Sequence, residues 1–326
     1  MSKLLLIIVP LILIVGFFVY KPIQPDSVPV QVTPTPASNP YSINSLNKKL
    51  YDSEIKIENE IRKTAKFISY RVSFVSDGLN QYALMNVPLG KKPDSGWAVI
   101  IVNHGYIEPS VYSTENSYIN TSAYYANAGF LVVKPDYRGH DQSQGETGSI
   151  VSRIGYAIDV LNLLFGIKKL TYADPQKIYM YGHSMGGDVS LRVAEICLDC
   201  IKAVSLWAPA VTDWPESYMY FVRKDQIDPK RKERFEKMQI ELKTLFIESD
   251  YSQISTMTNV NLLQIPIIFH HGTLDESVPY EWGVRLSEKL KQSNIEHTFH
   301  TYQNDNHDIA SNWSTALNRD IEFFNK

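Results

Sequence analysis

The feature that most constrains this chain is the run Tyr179-Met180-Tyr181-Gly182-His183-Ser184-Met185-Gly186-Gly187. Ahead of the first glycine, Ile178 to Tyr181 is apolar at every position, as expected of a strand covered on both faces of a parallel sheet. Beyond it, Val189, Val193, Ile196 and Cys197 recur at helical spacing, so a helix follows. A strand that turns into a helix across Gly-x-Ser-x-Gly holds its serine in a strained backbone conformation, and the glycines let both elements pack closely. The hydroxyl then stands proud of the sheet at a helix N-terminus, where free N–H groups face any charge that builds up. Ser184 is therefore the candidate nucleophile.

A serine attacks only when a base takes its proton, and the usual base is a histidine held in one tautomer by a buried carboxylate. Both partners are expected downstream, each on a loop that leaves a strand. Ile265 to Gly272 reads as a buried strand, and the following Thr273-Leu274-Asp275-Glu276-Ser277-Val278-Pro279 supplies Asp275 as the acid. The next strand ends near Tyr302 and runs into Asn304-Asp305-Asn306-His307-Asp308, which makes His307 the base. His297 and His300 fall within that strand and are expected to pack or to face solvent. Two backbone N–H groups are needed for the oxyanion. One is expected from Met185, after the nucleophile, and one from Tyr106, in the loop after the apolar run that starts at Trp97. His104 is expected to order that loop.

The rest of the chain fits around this centre. Phe67–Val75 and Gln81–Val87 read as an antiparallel hairpin turning at Ser76-Asp77-Gly78. From Trp97 onward strands alternate with helices, which means an α/β domain with a mostly parallel sheet and helices on both faces. The alternation breaks between Asp213 and Asn259, where a small cap is expected. There Trp214, Tyr218 and Phe221 are either walls of a substrate pocket or glue between insert and sheet. Ser45–Lys66 has helical spacing and is expected to open the folded part or to shield a sheet edge. Cys197 and Cys200 lie at the wrong end of the nucleophile helix for a reactive dithiol; a buried cysteine and an optional local disulfide are expected.

Leu4 to Tyr20 carries no charged residue, and its length lies near the short end for crossing a bilayer. An uncleaved membrane anchor over residues 1–21 is expected, with a cleaved signal peptide as the alternative. Lys3 and the amino terminus against Lys21 favour the N-terminus inside, so the bulk is expected outside the cytoplasm, or secreted if the segment is removed. Residues 22–44 are rich in proline and read as a spacer, and residues 45–326 as the domain. With 44% hydrophobic and 21% charged residues and a net charge of -3, the composition is ordinary and gives no argument for nucleic acid.

His104-Gly105, Pro135-Asp136-Tyr137-Arg138-Gly139, Gly182-His183-Ser184-Met185-Gly186-Gly187, His271-Gly272-x-x-Asp275-x-x-Val278-Pro279 and Asn306-His307 together resemble the α/β-hydrolase superfamily. Asp174-Pro175 and Asp275-Glu276-Ser277-Val278-Pro279 are similar, more narrowly, to the catalytic domain of the prolyl oligopeptidase family and to dienelactone-hydrolase-like esterases. The resemblance implies the α/β-hydrolase fold and cleavage of esters or peptide bonds through an acyl-enzyme, without a metal or other cofactor. Peptidases of that family usually carry a β-propeller before the catalytic domain. With residues 1–66 read as anchor, spacer and a helix, a small ester is expected ahead of a short peptide as substrate. A non-catalytic binding protein on the same fold is the third expectation.

Overall fold

The computed structural model describes residues 39–223 and 228–326; the anchor and most of the proline-rich spacer lie outside the described residues. Nine strands form one sheet in the order β1-β2-β3-β5-β4-β6-β7-β8-β9. They are β1 (Lys56–Lys63), β2 (Phe67–Ser76), β3 (Leu79–Pro88), β4 (Trp97–Asn103), β5 (Leu131–Pro135), β6 (Ala173–His183), β7 (Ala203–Trp207), β8 (Ile267–Gly272) and β9 (His297–Tyr302). The first three strands and the β3–β5 pair are antiparallel, and every pair from β5 through β4 to β9 is parallel. This is the α/β-hydrolase fold. The strands of the parallel part are buried on both faces, and alternation along β4 shows how. Val99 and Ile101 enter one core, Ile100 and Val102 the other, and all four are fully buried. Each such side chain contributes roughly 1.5–3 kcal/mol when removed from water.

The helices are α1 (Ile43–Asn47), α2 (Ile119–Asn127), α3 (Ile150–Ile167), α4 (Met185–Ile196), α5 (Glu216–Arg223), α6 (Pro229–Thr244), the single turns α7 (Tyr251–Ile254) and α8 (Thr256–Asn259), α9 (Tyr280–Gln292) and α10 (Trp313–Phe324). Apolar residues of α3, α4 and α9 fill the first core, and those of α2 and α10 the second. α3 is long and apolar enough to cross a membrane, but 83% of it is buried inside the domain, so it is a core helix. Cys197 and Cys200 are joined by a disulfide where α4 ends.

One element departs from the sequence reading. Only α1 is helical within the stretch expected to be a helix, and Lys56–Lys63 is the edge strand β1. Leu50 and Ile57, two residues of the supposed apolar stripe, are 94% and 55% exposed. β2 offers an open row of backbone groups, and pairing with it outweighs a weak helical pattern. Two register shifts and the charged residues Lys56, Glu58, Glu60, Arg62 and Lys63 keep the new edge from recruiting further strands. Packing also begins earlier than the spacer boundary: Asn39 is buried and donates to the Leu245 carbonyl at 2.8 Å.

Candidate active site

β4 has β5 on one side and β6 on the other, so connections leave in opposite directions and their C-terminal ends open a crevice. Ser184 sits there, at the end of β6. Its φ is +55°, a conformation that side-chain-bearing residues rarely adopt. The fold pins it: the Ser184 N–H donates to the Trp207 carbonyl at 2.8 Å, and its carbonyl accepts from Gly187 and Ala210, each at 2.9 Å. A Cβ on Gly182 would lie 2.4 Å from the Gly186 carbonyl oxygen, and one on Gly186 only 2.0 Å from that of Asn103. The motif glycines are thus fixed by close approach of backbone to backbone.

His307 and Asp275 arrive on the loops after β9 and β8. His307 Nδ1 lies 2.8 Å from Asp275 Oδ2. The same oxygen meets His271 Nε2 at 3.0 Å, and Oδ1 accepts the N–H groups of Ser277 and Val278 at 2.8 Å. Burial alone would raise the Asp275 carboxyl; hydrogen bonds from His271 and His307 overcome it and hold the group well below the usual carboxylate range. The carboxylate stays charged and fixes the direction of the His307 ring. Ser184, His307, Met185 and Tyr106 line one cavity of about 570 Å³. Neither the Met185 nor the Tyr106 N–H has a hydrogen-bond partner among the described residues.

His183 joins these parts, which sequence reasoning did not foresee. The Tyr118 hydroxyl accepts the Gly105 N–H at 3.0 Å and is hydrogen-bonded to His183 Nδ1, while His183 Nε2 meets the His307 carbonyl at 3.2 Å. With Tyr118 donating to Nδ1, His183 is neutral and carries its proton on Nε2. Burial, and then the nearby His307, pull its pKa down to about 4. A tyrosine and a histidine 65 residues apart thus tie the loop of Tyr106 to the loop of His307. His183 stands inside the motif, but nothing in the sequence pairs it with Tyr118. His104 orders its loop as expected, buried between the rings of Tyr112 and Tyr137 at 4.5 and 4.3 Å.

Of the three aromatic residues expected at the pocket, Phe221 lines the cavity, but Trp214 and Tyr218 do not. Trp214 packs on Tyr218, Phe246 and Tyr251 within the core, and the buried Tyr218 donates its hydroxyl to Asp188 at 3.0 Å. These two are the glue of the insert; the amphipathic pattern of α5 did not separate the roles. The cap itself is anchored at the site. Arg234 of α6 bonds Glu108 at 3.0 Å and the Tyr106 hydroxyl, and Glu241 accepts the Ile150 N–H at 2.6 Å.

The profile of the prolyl oligopeptidase family matches residues 116–326. The chain is 24% identical over 290 residues to the acylamino-acid-releasing enzyme of Arabidopsis thaliana, covering 80% of this chain and 35% of that enzyme. It is 23% identical to an uncharacterized peptidase of Bacillus subtilis, covering 68% of this chain and 79% of the peptidase. Among solved structures, an acetyl xylan esterase from Paenibacillus superposes with a TM-score of 0.65 at 16% identity, covering 86% of this chain and 91% of the esterase. Dipeptidyl peptidase 4 of Porphyromonas gingivalis superposes with a TM-score of 0.59 at 21% identity, covering 79% and 35%. The chain therefore spans about a third of the length of both the plant enzyme and the bacterial dipeptidyl peptidase.

Proposed function

Since the chain belongs to the prolyl oligopeptidase family and is a serine hydrolase, we propose that it cleaves small carboxylic esters through an acyl-enzyme on Ser184. His307 Nε2 takes the hydroxyl proton as Ser184 Oγ attacks the carbonyl carbon. The Met185 and Tyr106 N–H groups receive the oxyanion. Collapse expels the alkoxide, which takes the proton back from His307, and water then repeats the sequence on the acyl-serine. Asp275 remains ionised throughout and stabilises the imidazolium. The observation that carries this reading is the 2.8 Å contact between His307 and an Asp275 carboxylate saturated with donors, beside the cavity that Ser184 shares.

The family match and the relationship to the acylamino-acid-releasing enzyme support a second reading, hydrolysis of acylated or short peptides by the same residues. A panel of short p-nitrophenyl acyl esters and peptide amides separates the two: esters are expected to be turned over far faster, and comparable rates on amides would reverse the order. We also propose that Leu4–Tyr20 anchors the enzyme with its domain outside the cytoplasm, supported by the charge-free stretch and the proline-rich spacer. Retention in the membrane pellet after alkaline carbonate is the expected result; recovery of a chain shortened at its N-terminus in the medium would overturn it.

A further inference from the structure

The wall of the Ser184 cavity contains a guanidinium that no carboxylate among the described residues balances. Arg153, Arg231 and Arg234 line the cavity, and the two acids in the wall, Glu276 and Asp308, belong to the loops after β8 and β9. Arg234 is held by Glu108, and Arg231 lies 3.9 Å from Asp228. Arg153 has no carboxylate within ion-pairing distance among the described residues; its guanidinium lies 4.5 Å over the Tyr218 ring. This cation–π contact holds the fork against the ring without using its N–H donors, which lie in the plane of the guanidinium itself. Arg153 stands in the first turn of α3, whose N-terminus already bears partial positive charge and receives the Glu241 carboxylate at Ile150. Three residues on, Tyr156 also lines the cavity. Its ring is stacked on Tyr137 at 4.8 Å, and burial pushes its pKa up to about 12, so it is a rigid neutral hydroxyl.

We propose that Arg153 and Tyr156 form an anion subsite, and that the substrate carries a carboxylate in addition to its scissile ester. A single unbalanced guanidinium beside a neutral hydroxyl matches a monoanion rather than a phosphate dianion. The subsite rests on the ester-hydrolase reading for its chemistry. The carboxylate sits on either the acyl or the alcohol side, and two substrate pairs separate these sources. One pair is mono-p-nitrophenyl succinate with p-nitrophenyl butyrate; the other is 4-acetoxy-3-nitrobenzoate with its methyl ester.

For the full-length chain, the ratio of kcat/KM for the acid over its neutral partner is expected to fall about 10- to 100-fold in Arg153→Gln for one pair, with partial recovery in Arg153→Lys. A ratio that stays within about twofold for both pairs, below the effect of even a weak charged hydrogen bond, overturns the subsite and leaves the ester reading standing. A second readout does not depend on turnover. By titration calorimetry, the Ser184→Ala chain is expected to bind the intact acid of the productive pair about 10- to 100-fold more tightly than the Ser184→Ala/Arg153→Gln chain. Equal binding of both acids by the two chains overturns the proposal. Absence of turnover of all four esters, with the binding difference intact, overturns the ester reading alone.

Discussion

Two of the histidine–carboxylate pairs among the described residues have nearly equal geometry at one ring nitrogen and differ at the other. His307 meets Asp275 at 2.8 Å, and His270 meets Asp320 at 2.9 Å. Each carboxylate accepts from several donors; Asp320 takes Ser205, Trp207 and Tyr125 as well as His270. The difference lies at the other ring nitrogen. His270 is fully buried and its second nitrogen meets the Tyr302 hydroxyl at 2.8 Å, so both ends are occupied. His307 has a 13% exposed side chain and lines the cavity with Ser184. A paired histidine whose second nitrogen opens on a cavity keeps an acceptor to offer, which is what the role proposed for His307 requires. Where that nitrogen is occupied, the same pair is a cross-brace.

The largest effect that sharpens this contrast is expected at the cavity. Ser184→Ala and His307→Gln should each lower kcat for p-nitrophenyl acetate by up to about 10⁶-fold with the melting temperature nearly unchanged. Asp275→Asn should cost about 10⁴-fold, because the amide no longer holds the imidazole in its tautomer. Asp320→Ala should reverse the signature, losing roughly 3–5 kcal/mol of stability in denaturant titrations, with residual kcat tracking the folded fraction. An Asp320 variant that stays stable but loses activity would erase the distinction between the pairs.

Smaller effects are expected at the link between the loops. Tyr118→Phe removes the anchor of Gly105 and His183 and should cost roughly 1 kcal/mol of stability together with a measurable fall in kcat. The pH dependence of this link has a definite sign. His183 titrates near 4 when folded against 6.5 for a free imidazole, so it binds fewer protons folded than unfolded. Its contribution to stability is complete above pH 6.5 and declines as the pH falls from 6.5 toward 4. Wild type should therefore lose more melting temperature across that window than His183→Gln; parallel curves would contradict the assignment. Asp275 acts at lower pH, its stabilisation lost as acid protonates a carboxyl held below the ordinary range.

Much of this was legible in the sequence because the chemistry leaves local marks. A serine between glycines, an acid after a buried strand and a histidine after the last strand can be read from order alone, and the hairpin turning at Asp77-Gly78 likewise. What was missed depends on partners far apart in the chain. β1 is a strand only because β2 offers an edge, and its own pattern reads as a helix. Trp214 and Phe221 look alike in sequence, yet one enters the core and the other faces the cavity. Arg153 stands in an apolar helix as any solvated charge would, and only the fold sets it over Tyr218 in the wall of the cavity that Ser184 also lines.

The most direct test of the central claim is the identity of the acylated residue. Full-length protein mixed with p-nitrophenyl acetate, quenched in acid during the steady state and digested, is expected to carry the acetyl group on the peptide containing Ser184, with none on Ser184→Ala. Undiminished turnover by Ser184→Ala, or an acyl group on any other side chain, would contradict the account.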